Sequence, residues 1–470
     1  GGSDGCPTSG GENETQGMTA VVDWLNGRAA GFDPSGASAQ AGWSTGKVGM
    51  IGVSYNGTLA NAVAATGVAG LETIVPIASI SSWYDYYRAN GGVVAPGTFQ
   101  GEDLDILAKA VLTRANPEVC AGVIAALEQN QDRETGDYSQ FWHERNYLRG
   151  VDNVRASVFV VHGLNDWNVK TMHFGQWWDA LAARGVPRKI WLHQANHQDP
   201  FNLRRTEWLS TLHRWFDQWL YGIDTGIMTE PMADIETAPT QWQTAASWPL
   251  PGTRTAPMFL GPAADDRPGT LTTTPSGIGS RLSFVDDPAQ TAEQLADSEL
   301  TADPNRQVYL TAPLATPVRL SGTPRVTVRA SLDGRSPYLT ALLVDYGTDA
   351  RFAAIRRLSD VDCIGPGIPG DPGCFARRAY VTAVTPYQIV TRGWLDVRNR
   401  ANARVTQPIT PGTTYSFSWE LQPNDHIVAA GHRLGLVLIS TDRDYTLRYP
   451  AGTVVSVQLG LSHLQLPVSG

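Results

Sequence analysis

The sequence has little lysine, little cysteine and no long apolar run. Only four lysines stand among its 36 basic residues, against 45 acidic ones, for a formal net charge of −9. A chain this acidic offers no basic face to a phosphate backbone, which excludes nucleic acid as the expected partner. No window approaches the roughly 18 consecutive apolar residues of a membrane-spanning helix, so no membrane span is expected. An initiator methionine is missing too. The chain opens Gly1-Gly2-Ser3-Asp4-Gly5, which implies removal of something upstream and makes the lack of a signal segment uninformative. Of four cysteines, Cys363 and Cys374 bracket a Gly/Pro loop that a local disulfide could close, while Cys6 and Cys120 are open to pairing or to being free. No neighbouring His or Cys completes a four-ligand set, so no metal is expected. The even count and the loop staple lean toward an oxidising, secreted setting.

At 470 residues the chain is too long for one ordinary core. Residues 1–240 alternate strand and helix signals. An amphipathic helix is expected near Thr15–Gly27, and apolar strand runs at Lys47–Val53, Leu71–Ala78, Ser157–Val161 and Arg188–His193. Helices are expected at Tyr55–Thr66, Thr171–Arg184 and Leu203–Tyr221. Such alternation predicts a mostly parallel sheet. From about 83 to 150 the pattern turns helical and loop-rich, as in a cap insertion. Residues 241–470 change character: strand runs at Gln307–Thr311, Val318–Ala330, Leu339–Asp345, Tyr380–Val384, Tyr415–Leu421 and Leu434–Ile439 predict a jelly-roll β-sandwich.

The chemistry centres on Gly52-Val53-Ser54-Tyr55-Asn56-Gly57. A serine at a tight strand-to-helix turn needs small neighbours, because its backbone is strained and the helix must approach closely. The usual second glycine position holds Asn56, and Gly57 follows one later. A nucleophilic serine needs a base, and the base an orienting carboxylate. Asp166 follows one strand and His197 the next, which is the Ser–Asp–His order of α/β-hydrolases. Four rival histidines fit structural roles: His193 within its strand, His162 as a hydrogen-bonding group at a strand end, and His426 and His432 in turns or strands of the C-terminal region. Ser54 is thus expected as nucleophile, Asp166 as orienting acid and His197 as base. The backbone N–H of Tyr55 supplies an oxyanion donor.

With these motifs in view, the sequence resembles the Xaa-Pro dipeptidyl-peptidase family, which is related to cocaine esterase and the α-amino-acid ester hydrolases. The resemblance rests on Gly5-Cys6-Pro7-Thr8-Ser9-Gly10, the Gly-x-Ser-Tyr-x-Gly elbow and Ser79-Ile80-Ser81-Ser82-Trp83-Tyr84-Asp85-Tyr86-Tyr87-Arg88. It also rests on Asn165-Asp166-Trp167-Asn168-Val169, the Trp215 to Gly222 helix end and Gly393-Trp394-Leu395-Asp396-Val397-Arg398-Asn399-Arg400. It implies release of an N-terminal dipeptide whose second residue is proline, with a peptide of free N-terminus as substrate and no cofactor. By the same resemblance, Glu102 and Asn168 hold the substrate ammonium, and Trp83 and Tyr86 form the proline pocket. The residues alone also admit a solvated acidic helix start at Glu102 and ordinary cap packing for the two aromatics. In one respect the chain departs from the family. Only one helix is expected before the nucleophile strand, so the N-terminal strands and an upstream tyrosine donor to the oxyanion have no matching positions. A fragment, or a separate upstream segment completing the fold, is the expectation. Two other readings stand beside the peptidase: an esterase or acylase on the same scaffold, and a non-catalytic chain built around a binding β-sandwich. The sandwich is expected to pack on the catalytic domain and shape a wall of the substrate entrance.

Overall fold

The computed structural model describes residues 5–263 and 267–469; the opening Gly1–Asp4 lies outside the described residues. Six strands form the first sheet: β1 (Val48–Val53), β2 (Leu71–Ile77), β3 (Ser157–Gly163), β4 (Arg188–His193), β5 (Ala233–Ala238) and β6 (Gln241–Ala245). Their spatial order is β6-β5-β4-β3-β2-β1. All neighbours run parallel except the β5–β6 hairpin. The buried strands read as continuous apolar runs because helices cover both faces. β3 is buried at every position and β2 at nearly every one. β1 is an edge strand with Ile51 exposed, and among the described residues no strand precedes it in this sheet.

The helices around this sheet lie close to their expected places, with small shifts. α1 spans Glu12–Leu25, starting a turn earlier than the apolar spacing suggested because Gly11 precedes two acidic residues that suit a helix N-terminus. α2 (Tyr55–Ala64) is Ala-rich and buries one face against β1 and β2. The cap between β2 and β3 holds α3 (Trp83–Tyr87), α4 (Leu104–Val111), α5 (Ala121–Asn130) and α6 (Gln140–Glu144). α7 (Met172–Ala183) follows β3, and α8 (Arg205–Phe216) follows β4. The helix expected to run to Tyr221 changes to a π-turn over Asp217–Tyr221.

The C-terminal half is a β-sandwich. Among the described residues its strands join one twelve-stranded network around a core that includes Val326, Leu343, Phe417, Leu436 and Val457. The first sheet extends to Ala245, a few residues past the expected 240/241 boundary. The run expected as one strand over Val318–Ala330 is two, Val318–Gly322 and Arg325–Leu332. Pro324 lacks the N–H that a continuous ladder needs. The strand signals at Leu339–Asp345 and Tyr380–Val384 prove to be pieces of one long hairpin, Tyr338–Cys363 paired with Cys374–Asp396. Its outer arm is largely exposed on both faces even where it carries Ile355, Val361 and Val384, so period-2 burial had no core to report it. Both cysteine pairs are bonded: Cys363–Cys374 closes the hairpin tip, and Cys6–Cys120 ties the N-terminal segment to the cap.

Candidate active site

Ser54 sits between β1 and α2 with φ 59° and ψ −124°, a left-handed-side backbone that a non-glycine residue adopts only when its surroundings enforce it. The enforcement comes from two close approaches. A Cβ on Gly52 would lie 2.6 Å from the Asn56 carbonyl carbon, and one on Gly57 would lie 2.0 Å from Ser79 Oγ and 2.5 Å from the Gly52 carbonyl oxygen. The glycine one place later than usual is therefore the one the turn requires, while Asn56 points to solvent. The Ser54 N–H donates to the Ile77 carbonyl of β2 at 2.8 Å. Tyr55 is the first residue of α2, so its N–H has no acceptor within the helix.

Asp166 lies in the loop after β3 and is buried. Its Oδ1 accepts the N–H groups of Asn168 and Val169, each at 3.0 Å, and its Oδ2 accepts from His197 Nδ1 at 2.6 Å. His197 follows β4 and keeps partial access to solvent. Burial opposes its imidazolium, but the hydrogen bond and charge of Asp166 outweigh that, and its pKa is raised. Burial disfavours the charged form of two histidines beside it. His162 Nε2 donates to the Val169 carbonyl at 2.7 Å, and burial lowers its pKa. His193 is fully enclosed, and burial brings it down to about 3. Ser54, Asp166 and His197 all stand at the carboxyl ends of their strands, where ligands bind in open α/β sheets.

The residues expected to meet substrate connect to this centre by contact. The Tyr55 ring stands edge-on to Trp83, with centroids 5.2 Å apart, and Trp83 edge-on to Tyr86 at 5.9 Å. The Tyr86 hydroxyl donates to Asn168 Oδ1 at 2.6 Å. Asn168 is two residues from Asp166, so one loop carries both. Glu102 precedes α4 rather than opening it, since Asp103 is the N-cap. It is half-buried, accepts from the Tyr87 hydroxyl at 3.2 Å, and has its pKa raised by burial. Its position is set from α3: Arg88 makes a buried two-point pair with neighbouring Asp103, at 3.2 and 2.9 Å.

Sequence reasoning missed Lys170. Its buried Nζ donates to the Tyr86 carbonyl at 2.8 Å, and burial brings its pKa down to about 7 despite Asp166, Asp85 and Glu102 nearby. One of only four lysines, four places after the acid, was the signal available. Glu14 was missed as well: its carboxylate accepts from Thr8 N, Gly10 N and the Tyr55 hydroxyl, which binds the N-terminal segment to the elbow.

A family model described as X-Pro dipeptidyl-peptidase (S15 family) matches residues 1–199, and the X-Pro dipeptidyl-peptidase C-terminal non-catalytic domain matches residues 225–466. The chain belongs to the X-Pro dipeptidyl-peptidase S15 family. Membership makes it a hydrolase of a serine peptidase family. A Bacillus cereus relative named "Putative Xaa-Pro dipeptidyl-peptidase" is 46% identical over 471 residues, covering 99% of this chain and 73% of the relative. An Xaa-Pro dipeptidyl-peptidase of Pediococcus pentosaceus is 31% identical, over 99% of this chain and 61% of its own length. The S15 fold extends to more distant solved structures. A CocE/NonD family hydrolase from Staphylococcus aureus has TM-score 0.68 at 14% identity, covering 100% of this chain and 78% of that one. An α-amino acid ester hydrolase has TM-score 0.64 at 18% identity, covering 96% and 79%. At such identities the likeness speaks for the α/β-hydrolase fold with its appended β-sandwich.

Proposed function

We propose that this S15 member is a serine exopeptidase that releases N-terminal Xaa-Pro dipeptides through an acyl-enzyme. Ser54 Oγ attacks the carbonyl carbon of the substrate proline as His197 Nε2 takes its proton. Asp166 holds Nδ1–H, which fixes the tautomer and stabilises the imidazolium. The developing oxyanion accepts the Tyr55 N–H. His197 returns the proton to the leaving amine, and water then repeats the sequence on the acyl-serine. The substrate ammonium is held by Glu102 and Asn168, each of which has lone pairs beyond those its tyrosine partner occupies. Trp83 and Tyr86 wall the proline, a ring with no N–H to satisfy.

One observation carries the reading: a single loop holds Asp166 on His197 and Asn168 on Tyr86, so the chemical centre and the dipeptide anchor share one rigid support. The two disulfides support an exported, oxidising setting. The test compares Gly-Pro-p-nitroanilide with its N-acetylated form, in wild type and Ser54→Ala. Cleavage of the free amine alone, lost in the variant, is expected. Equal cleavage of the acetylated form would instead support an acyl or ester hydrolase.

A further inference from the structure

Lys170 is buried, and the mechanism above gives it no step. What it touches is one tyrosine of α3. A helix of five residues leaves its last carbonyls without partners inside the helix. The Arg88 N–H donates to the Tyr84 carbonyl, and the Arg88 guanidinium donates to the Tyr87 carbonyl at 2.8 Å. The Tyr86 carbonyl accepts from Lys170 Nζ, also at 2.8 Å.

Tyr86 is thus gripped at both ends from one loop. Lys170 holds its backbone, and Asn168, two positions earlier, accepts its hydroxyl at 2.6 Å. Between these points the ring packs on Trp83 at 5.9 Å and Tyr87 at 4.6 Å. The Lys170 ammonium is itself fixed by two ring faces, Tyr86 at 5.5 Å and Trp394 of the β-sandwich at 6.0 Å. Trp394 is anchored in turn: its Nε1 donates to Asp442 Oδ2 at 2.9 Å, and its carbonyl accepts from Asn90 Nδ2 at 2.9 Å. Asp166, Asp85 and Glu102 favour the cation against burial, yet among the described residues none forms an ion pair with it. The directed contacts of Nζ are therefore the Tyr86 carbonyl and the two rings.

We propose that Lys170 is a positioning residue for the substrate dipeptide and acts through Tyr86. The inference rests on the dipeptidyl-peptidase reading above. Tyr86 walls the proline with its ring, and its hydroxyl holds the Asn168 amide oxygen that meets the substrate ammonium. A shift of the Tyr86 backbone moves both contacts together. The triad is supported differently. Asp166 is held by the Asn168 and Val169 N–H groups, and its loop by Asn424 on the Leu164 carbonyl and Gln422 on the Met172 N–H. None of these bonds passes through Lys170. Its loss should therefore weaken dipeptide binding and spare proton transfer.

The experiment measures kcat and KM for Gly-Pro-p-nitroanilide, and the rate at which a fluorophosphonate labels Ser54, in wild type, Lys170→Met and Lys170→Arg. Methionine keeps most of the apolar stem and removes the donor. Arginine keeps a cationic donor, and a cavity of about 140 Å3 that Lys170 and Trp394 both line gives its larger head room. Lys170→Met is expected to raise KM about tenfold, the worth of one hydrogen bond from a charged donor, with kcat and the labelling rate within about threefold of wild type. Lys170→Arg should restore most of the lost affinity. An unchanged KM in Lys170→Met, or labelling that falls as far as kcat/KM does, overturns the proposal. A double-mutant cycle of Lys170→Gln with Tyr86→Phe gives a second test, which stands even where the methionine variant does not fold. Effects on KM that are less than additive are expected of two residues acting through one contact, and additive effects overturn the proposal. Wild type that labels with the fluorophosphonate but does not cleave Gly-Pro-p-nitroanilide overturns the peptidase reading, and this inference with it.

Discussion

Asp166 uses both carboxylate oxygens, one on its own loop and one on His197, so it sets the base's orientation and its proton affinity together. Asp166→Asn is expected to lower kcat by about 10^4-fold, because the amide favours the wrong imidazole tautomer. The sign of the pH dependence follows from His197. In the proposed mechanism the base must be neutral, so kcat/KM should rise with pH through the His197 pKa and be lost below it. Since that pKa is raised, the acid limb should lie above the ordinary histidine range. In Asp166→Asn burial acts unopposed, and the limb should move to lower pH; a pH–rate profile of both proteins checks this. With Glu102 holding the ammonium as proposed, Glu102→Gln removes a charge-assisted bond, and kcat/KM for Gly-Pro-p-nitroanilide should fall about 30-fold, or about 2 kcal/mol. Ser54 and the Asp–His spacing were legible as residues, since their chemistry demands those types in that order. The contacts of Lys170, Tyr87 and Glu14 were not: each is made with a partner 15 to 84 positions away or within a short loop, and only the rarity of lysine and the place of Lys170 after Asp166 gave a local sign.

At the scale of elements, the elbow is a packing problem before it is a chemical one. Gly57→Ala places a methyl against Ser79 and the Gly52 carbonyl, and overpacking of this kind costs about 1–3 kcal/mol. A lowered thermal midpoint with loss of activity is expected, whereas Asn56→Ala, at an exposed position, should leave the midpoint near wild type. The disulfides divide in the same way. Cys6–Cys120 closes a separation of 114 residues and Cys363–Cys374 one of 11, and loop-closure entropy is worth about 4.7 kcal/mol for ~100 residues against about 3 for ~15. The hairpin ladder already joins the ends of the shorter loop. Cys6→Ser/Cys120→Ser should therefore lower the unfolding midpoint more than Cys363→Ser/Cys374→Ser, as differential calorimetry can read. β4 matched its expected bounds, and β1 to β3 came within a residue or two, because buried parallel strands are apolar throughout. Most of the outer hairpin arm escaped because neither face is buried, and the break at Pro324 because the alternation on either side of Gly322-Thr323-Pro324 was read as one run.

On the scale of the whole molecule, the β-sandwich supports the loop that carries Asp166 and Asn168. Asn424 Nδ2 donates to the Leu164 carbonyl at 3.2 Å, Gln422 Oε1 accepts the Met172 N–H at 3.0 Å, and Gln388 Nε2 donates to Asn165 Oδ1 at 3.3 Å. The hairpin arm adds a second fastening beyond β4. Arg205 reaches Asp362 at 2.9 Å, and the Tyr380 hydroxyl donates to Glu236 at 2.7 Å. A chain ending at Ala246 should lose activity against Gly-Pro-p-nitroanilide even where circular dichroism reports a folded sheet, since three of the supports of residues 164–172 go with the sandwich. That the sandwich adjoins the site was an expectation of the sequence; which of its residues touch the catalytic loop was not readable there.

What the sequence alone determined is local chemistry and period: an acidic chain without a membrane-spanning helix, alternating strands and helices followed by strands, a strained serine turn, and an acid and base in the order one fold uses. Each follows from residue type and short spacing. The tertiary structure decided what depends on distant parts meeting: the Cys6–Cys120 pairing, the Tyr86–Asn168 and Tyr87–Glu102 contacts, and the buried Lys170. Those contacts form only when the core closes and water leaves, so their partners are chosen by packing and desolvation, which short-range sequence patterns do not encode.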